Sequence, residues 1–72
     1  MKSDRKILIK FGLRVKALRN TRELSQEQLA FKAGFHRTYI GMVERAERNI
    51  TLANIEKLAN AFEVTISELL DF

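Results

Sequence analysis

Apolar residues recur along the first part of this chain at intervals that fit an α-helix. Steps of four, four and three separate its large apolar positions, which are Ile7, Phe11, Val15 and Leu18. Residues three or four apart share one face of a helix, so this stripe is expected to be buried. The pattern predicts a first helix that begins with Ser3 or Asp4 as its N-cap and ends near Thr21.

A second helix is indicated by its local start and stop signals. Ser25 is a preferred N-cap residue, and Gln28 follows three positions later, as in a capping box. Gly34 is a natural C-terminal stop because glycine adopts a positive φ without steric cost. The inner face of this helix consists of Leu29, Ala30 and Ala33.

Three further helices complete the pattern. The third is expected to begin near His36 and to end before Ala46. The fourth follows Thr51 as its cap, and residues 65–72 form a short fifth. Their inward residues, in chain order, are Ile40, Val43, Ile55, Leu58, Ala59, Phe62, Ile66 and Leu69. Because no strand-like alternation of polar and apolar residues is found, the sequence predicts an all-α protein with a single domain over residues 1–72.

The second and third predicted helices are separated by very few residues. Gly34 supplies the turn, and Ala30 is small where the two helices would approach most closely. Two helices joined so tightly must cross at a steep angle, which is the helix-turn-helix arrangement. An ordinary helical hairpin inside a structural bundle is the alternative, since the connection alone does not distinguish the two.

Charge and composition narrow the class of protein. Residues 1–52 contain 12 lysines and arginines against 5 acidic residues, whereas residues 53–72 contain 1 against 4. The basic part is expected to face a polyanion such as a nucleic acid, although a basic surface can also be simply solvated. The chain has no cysteine, no long apolar run and no secretory leader, which favours the cytoplasm. A chain of 72 residues builds a small core, so self-association is expected.

The two central helices resemble a known family. Their segment, LSQEQLAFKAGFHRTYIGMVERAERNIT, is similar to the helix-turn-helix of the lambda/434 repressor and Cro class, also called the XRE family. The flanking helices are similar as well, in the segments FGLRVKALR and NIEKLANAFEVTISELL, so the resemblance covers nearly the whole chain. It implies a five-helix, lambda-repressor-like DNA-binding domain. Within the family, HRTYI followed by VERAERN looks most like the controller proteins of restriction–modification systems. That resemblance implies a dimer that regulates its own operon and times the expression of a restriction endonuclease.

One side of the third helix points away from the predicted core. With about 100° per residue and Ile40 inward, the residues in or beside the outer sector are Arg37, Thr38, Gly41, Met42 and Arg45. We expect this set to contact DNA bases. Arg37 is the first candidate because its guanidinium can donate to O6 and N7 of guanine; a solvated or phosphate-bound arginine is the alternative. Glycine inside a helix costs about 1 kcal/mol relative to alanine, so Gly41 indicates either close approach to a groove or a tolerant position.

Phosphate contacts are expected on either side of this helix. The N-terminus of the second helix can bind an anion, and Gln26 beside it matches the phosphate-binding glutamine of the family. Tyr39 lies half inward, so its ring can pack while its hydroxyl reaches the DNA backbone. The resemblance implies backbone contacts for Arg48 and Asn49, and Arg45 could contact either bases or phosphates. Four other basic residues are expected to be solvated or to add a diffuse field, namely Lys10, Arg14, Lys16 and Arg22.

A glutamate falls on the core side of the third helix. Glu44 lies about 40° from Ile40, and in the first helix Arg19 lies about 40° from Val15. A buried carboxylate is costly unless it is paired, and the forked guanidinium of Arg19 is a complementary partner. The family resemblance implies the same pair. We therefore predict an Arg19–Glu44 ion pair that fixes how the first helix supports the third.

Double-stranded operator DNA and a second copy of the chain are the expected partners. A two-fold dimer places two recognition helices about 34 Å apart, in successive major grooves. The apolar, acidic C-terminal end is the candidate interface, with Ile66, Leu70 and Phe72 as contact residues that could equally be core. Two dimers on adjacent sites and RNA polymerase are further candidate partners, and no membrane is expected. The alternatives are a phage or plasmid repressor, an antitoxin-like regulator, or a helical protein-interaction domain with Phe31 and Met42 as exposed anchors.

No residue pattern indicates a catalytic, cofactor or metal site. The single histidine, His36, has no cluster of ligands around it in the sequence and is expected to cap the third helix or to be solvated. No nucleophile–base pair or glycine-rich phosphate loop is recognisable, so we expect neither an enzyme nor a bound cofactor. Two positions depart from the family: Glu23 in the turn before the second helix, and Ala46 where many relatives have glycine. Each indicates either a strained backbone or a different turn.

Overall fold

The computed structural model describes residues 2–72, with side chains from residue 5 onward, and within this range it has five α-helices and no strand. In chain order, the helices are α1 (Lys2–Thr21), α2 (Gln26–Ala33), α3 (Arg37–Glu44), α4 (Leu52–Phe62) and α5 (Ile66–Leu69). The all-α, five-helix prediction is confirmed. None of these helices combines the length and the apolar character that a membrane span requires.

Helices α2 and α4 begin where the sequence predicts. Ser25 caps α2, and Gln28 closes the capping box by accepting a hydrogen bond from the Ser25 N–H at 2.8 Å. Thr51 caps α4 by accepting from the N–H of Asn54 at 3.1 Å. A second capping box, unremarked in the sequence, begins α5 at Thr65. These starts are local because each bond joins residues three positions apart.

The boundaries of α1 and α3 test two other predictions. His36 caps α3, since its Nδ1 accepts a hydrogen bond from the N–H of Thr38 at 3.1 Å. Helix α1 already begins at Lys2, so the prediction that Ser3 or Asp4 is its N-cap is wrong. Both residues lie inside the helix, and their side chains lie outside the described residues.

The core lies between α1 and the other four helices. Its large buried residues are Phe11, Val15, Leu29, Ile40, Val43, Leu58, Phe62 and Leu69. Helix α3 packs against both α1 and α2, α4 packs against α2, and α5 packs against α4. The prediction that Ile7 is buried is wrong: its side chain is 51% exposed, because burial along the described part of α1 begins only at Phe11. Ile55 and Ile66 are half-buried at the edge of the core.

Helices α1 and α3 approach each other backbone to backbone at Gly12. A Cβ atom on this residue would lie 2.6 Å from the carbonyl oxygen of Val43 and 2.7 Å from that of Glu44. No real Cβ contact is so short, so only glycine permits this crossing. The sequence analysis missed Gly12, although an isolated glycine inside an otherwise helical pattern is the usual signal of close packing.

Four helix ends close with a residue of positive φ. These residues are Glu23 (54°), Gly34 (80°), Ala46 (62°) and Glu63 (59°). At each end the chain turns back in a left-handed conformation that allows later N–H groups to bond the last carbonyls of the helix. Gly34 adopts this conformation without strain, whereas the other three carry a Cβ there. The departures noted at Glu23 and Ala46 therefore mark strained backbone.

Two arginines, one in α1 and one just beyond its end, bind the C-terminal carbonyls of other helices. Arg14 donates to the Leu69 oxygen at 3.2 Å and to the Glu68 oxygen at 2.7 Å, at the end of α5. Arg22 donates to the Phe62 oxygen at 3.1 Å, at the end of α4. The interpretation of Arg14 as solvated or as part of a diffuse field is wrong, because its side chain is half-buried and bonds two carbonyls of α5. Arg22 is exposed, as that interpretation expected, and adds a bond to the end of α4. Helix C-termini carry unpaired carbonyls and a partial negative charge, which arginine satisfies.

Candidate nucleic-acid interface

A shallow, open concavity lies between the start of α2 and the outer side of α3. Its lining residues are Gln26, Arg37, Thr38, Gly41 and Arg45. The structure thus brings together four of the five residues predicted to contact bases and one of those predicted to contact phosphate. The fifth, Met42, is half-buried and is not among the lining residues.

Arg37 and Thr38 stand at the first turn of α3, where both are exposed. The Arg37 side chain is 68% exposed and its Nη1 lies 3.5 Å from Oε2 of Glu27, whose side chain is 74% exposed. An ion pair this long and this exposed contributes little in water. Arg37 is therefore available to a ligand that enters the concavity.

Arg45 and Glu47 form a two-bonded ion pair just beyond the end of α3, which we call the outer fork. Nε of Arg45 donates to Oε2 of Glu47 at 3.0 Å, and Nη2 donates to Oε1 at 3.2 Å. The hydrogen bonds from Arg45 hold the pKa of the Glu47 carboxyl below its ordinary value of 4.5. Both side chains are about half exposed, 58% for Arg45 and 48% for Glu47.

Gly41 lies beneath the tip of Arg45. A Cβ atom on Gly41 would be 3.0 Å from Nη1 of Arg45 and 3.5 Å from Oε1 of Gln26. Gly41 is consequently buried, not bare on the outer surface as the helical wheel suggested. The guanidinium thus packs closely over the face of Gly41 from which a side chain would project.

Arg19 and Glu44 form a second two-bonded pair on the core side of α3, which we call the inner fork. Nε of Arg19 donates to Oε2 of Glu44 at 2.6 Å, and Nη2 donates to Oε1 at 3.1 Å. Nη1 donates to the carbonyl oxygen of Leu24 at 2.8 Å. The hydrogen bond with Glu44 raises the pKa of Arg19 above its ordinary value.

Gln26 connects the inner fork to the concavity. Its Nε2 donates to Oε1 of Glu44 at 3.0 Å, so the side chain is half-buried and leans on the ion pair. Gln26 also lines the concavity as the first residue of α2. The side chain predicted to contact phosphate is therefore oriented by the carboxylate that the core side of α3 supplies.

Tyr39 lies on the other flank of α3, next to Arg48. Its ring packs on Phe35, with centroids 4.7 Å apart, and the guanidinium of Arg48 lies over it at 5.6 Å. The hydroxyl accepts a hydrogen bond from Nδ2 of Asn54 at 3.1 Å. The phenolic hydrogen is left to donate elsewhere. Asn49 is exposed beside this group.

The C-terminal face carries the three residues predicted for a dimer interface. Leu70 and Phe72 are 38% and 49% exposed, whereas Ile66 is half-buried against the core. Leu52, which the sequence analysis did not select, is 70% exposed and lines a shallow concavity together with Ile66. Its position as the first residue of α4, at the edge of the apolar stripe of that helix, was the available signal.

Phe31 and Met42, the anchors of the protein-interaction alternative, differ in exposure. Phe31 is 89% exposed on α2, next to Leu24, Glu27 and Lys32. Met42 is half-buried. The two residues line no common concavity among those of the described residues.

Glu47 is the residue of this interface that sequence reasoning missed. In a continuous helix, positions 45 and 47 would not face each other. The positive φ of Ala46 brings them together, and the departure from glycine at that position was the only signal in the sequence. Predicting the contact between Arg45 and Glu47 requires the end of α3 to be known to within one residue.

Comparisons with known proteins identify the family of the chain. Residues 15–69 match the helix-turn-helix (HTH_3) family model. Control protein C.BamHI of Bacillus amyloliquefaciens is 46% identical over 67 residues, which are 92% of this chain and 83% of that protein. Control protein C.SmaI of Serratia marcescens is 54% identical over 56 residues, 78% of this chain and 67% of that protein. The crystal structure of the restriction-modification controller protein C.AhdI from Aeromonas hydrophila has a TM-score of 0.83 and 52% identity, covering 86% of this chain and 90% of that one.

Proposed function

This chain belongs to the helix-turn-helix family of DNA-binding transcriptional regulators, and we propose that it binds a pseudo-palindromic operator as a dimer and controls a restriction–modification operon. The observation that carries the proposal is the concavity on α3, where exposed arginines stand beside the first turn of α2. Arginine donors and helix N-termini are the groups that recognise bases and phosphates. The proposal assigns the chain no catalytic role.

The base-contacting set consists of residues on the outer side of α3. Arg37 and Arg45 supply forked donors for guanine, and Thr38 supplies a methyl and a hydroxyl group for thymine or a phosphate. Gly41 and Met42 complete the surface that enters the major groove. Phosphates on either side would be bound by Gln26, Tyr39, Arg48 and Asn49.

The hydroxyl of Tyr39 is suited to donate to a phosphate. It already accepts a hydrogen bond from Asn54, so its own hydrogen is the group that remains unpaired. Arg48, stacked on the same ring, adds a cationic donor within reach of the same phosphate. Tyr39→Phe should weaken binding to all duplexes alike, because a phosphate contact carries no sequence information.

Dimerisation follows from the size of the recognition element. Helix α3 has eight residues and is therefore about 12 Å long, so it reads only a few base pairs. A second copy, with its α3 about 34 Å away, doubles the site. We assign the interface to Ile66, Leu70 and Phe72, with Leu52 beside them, since this is an exposed apolar surface on the acidic end of the chain. Sedimentation at several concentrations should show a dimer, and Phe72→Ala should weaken it.

Selection of bound duplexes from a random pool is the test of the function. The wild-type protein should enrich one pseudo-palindromic sequence, and that sequence should lie upstream of its own gene if the chain regulates its own operon and times endonuclease expression. Salt titration should lower the affinity for both selected and random duplexes while a large preference for the selected one persists. Absence of any enriched sequence would contradict the proposal. A phage or plasmid repressor, or an antitoxin-like regulator, would instead enrich a site beside genes of those kinds.

A second surface supports a contact with another protein while DNA is bound. Phe31 is 89% exposed on α2, which is unusual for a large apolar side chain. RNA polymerase is the partner we propose for it, with two dimers bound on adjacent sites. In reconstituted transcription, Phe31→Ala should leave operator affinity unchanged and reduce the response of the promoter. An unchanged response would exclude this contact.

A further inference from the structure

The outer fork engages only one edge of the Arg45 guanidinium. Glu47 accepts from Nε and from one hydrogen of Nη2. A guanidinium has five N–H groups, so both hydrogens of Nη1 and one of Nη2 remain. Two of these, one from each nitrogen, point in parallel from the end of the group. O6 and N7 of guanine can accept hydrogen bonds from such a pair of donors.

The turn after α3 creates this fork. The N–H of Glu47 donates to the Met42 oxygen at 2.8 Å and that of Ala46 donates to the Val43 oxygen at 3.1 Å, which closes the helix with Ala46 at a φ of 62°. The chain then turns back, and the Glu47 carboxylate meets Arg45. The position of the carboxylate is thus set by the backbone and not by the freedom of two long side chains.

Gly41 sets where the other end of the guanidinium lies. Nη1 of Arg45 lies 3.0 Å from the point at which a Cβ on Gly41 would stand, which is tighter than an ordinary contact. The tip of an arginine is flexible, so an alanine at this position would displace the guanidinium and leave the fold intact. Glu47 on one edge and Gly41 beneath therefore constrain the same group.

We propose that Glu47 is a positioning residue for base recognition: it holds Arg45 across Gly41 so that the Nη1–Nη2 edge reads one guanine in each operator half-site. This inference rests on the proposed function above, in which Arg45 contacts bases. An arginine that is already oriented loses less side-chain freedom on binding, and the pair strengthens when the groove removes its water. Glu47 thereby increases sequence discrimination even though its charge repels phosphate.

The experiment compares variants on the operator that the wild-type protein selects. Binding constants are measured for that operator, for each of its single base-pair replacements and for a random duplex. Glu47→Ala should reduce discrimination about 5- to 150-fold at one guanine position of each half-site, the range expected for one bidentate contact. Affinity for the random duplex should stay equal or increase, because a negative charge has been removed from the DNA-facing side.

Three variants separate positioning from charge and from structure. Glu27→Ala is the matched control: it removes the same charge from the same side, but its contact with Arg37 is a single one of 3.5 Å, so discrimination at the Arg45 guanine should persist. Arg45→Ala should lose discrimination at the position that Glu47→Ala affects, and the double variant should lose no more than Arg45→Ala alone. Gly41→Ala should lose discrimination at that position with an unchanged or higher Tm.

Three results would overturn the inference while the wild-type protein still selects an operator, and the first two concern Glu47. One is full discrimination at every position in Glu47→Ala, and the other is additive losses in the double variant. Arg45→Ala that alters no base preference would overturn it as well. Failure of the proposed function is distinguishable, since the wild-type protein itself would then select no sequence.

Discussion

Two arginine–glutamate forks of the same bonding pattern lie at the C-terminal end of helix α3. In each, Nε and Nη2 of the arginine donate to the two oxygens of one carboxylate, at 2.6 and 3.1 Å in the inner fork and at 3.0 and 3.2 Å in the outer fork. Exposure separates them. The side chains of Arg19 and Glu44 are 12% and 4% exposed, against 58% and 48% for Arg45 and Glu47.

The two forks differ in what happens to the guanidinium N–H groups that do not bond the carboxylate. In the inner fork, Nη1 of Arg19 donates to the Leu24 oxygen, and Glu44 accepts a third bond from Gln26. In the outer fork, no acceptor within the described range receives a hydrogen bond from Nη1 of Arg45. The same chemistry therefore stabilises the fold where all three guanidinium nitrogens donate to protein acceptors, and is available for recognition where Nη1 has no acceptor within the described range.

Removing the carboxylate of the inner fork should have the largest effect on stability. Glu44→Ala leaves the guanidinium of Arg19 buried without its partner, which is expected to reduce the free energy of unfolding by about 3–5 kcal/mol. Urea denaturation followed by circular dichroism measures the change. Glu27→Ala, which breaks an exposed contact, is the control and should change stability little. Equal curves for Glu44→Ala and wild type would show that the inner fork does not support α3.

The link between the inner fork and the concavity should have the next largest effect. Gln26→Ala removes a hydrogen bond to a charged, buried group and is expected to cost about 1.5–3 kcal/mol. Its affinity for DNA should fall equally for selected and random duplexes, because the side chain is assigned to a phosphate. A loss confined to one base position would instead assign Gln26 to base recognition.

The close crossing that lets Arg19 reach Glu44 depends on Gly12. Gly12→Ala places a methyl group against two backbone carbonyls and should cost about 1–3 kcal/mol, despite the higher helix propensity of alanine. Gly41→Ala is the matched control, since its Cβ meets only side-chain atoms. Thermal unfolding of the two variants should therefore shift in opposite directions, or only for Gly12→Ala. A stabilised Gly12→Ala would contradict the crossing.

Breaking the outer fork should change the pKa of Glu47 more clearly than it changes the stability of the protein. Because Arg45 lowers the pKa of Glu47, the pair is formed above the ordinary pKa of 4.5 and is lost as pH falls through the lower folded value. NMR titration of the Glu47 carboxyl carbon in wild type and Arg45→Ala measures this. The variant should titrate closer to 4.5, with an almost unchanged Tm. Equal pKa values in the two proteins would mean that the fork does not form in solution.

The sequence predicted which residues make up the candidate site better than it predicted how their side chains are placed. Arg37, Thr38, Gly41 and Arg45 were selected from one helical wheel and the resemblance, and the structure places them around one concavity. The wheel could not show that Gly41 is covered, because Arg45 folds over it only once α3 has ended. The DNA contacts of these residues stay predictions that the selection experiment tests.

Features that depend on neighbours within about four residues were predictable from the sequence alone. Ser25, Gln28 and Gly34 bound α2, and the apolar steps set the helical faces, because capping and helical periodicity act over one turn. Tertiary structure alone decided the exposure of Ile7, the fit of Gly12 beneath α3 and the contacts of Arg14, whose partner is 55 positions away. It also decided the return of Glu47 to Arg45. Those outcomes depend on where whole helices end and cross. Packing between distant segments of the chain sets both.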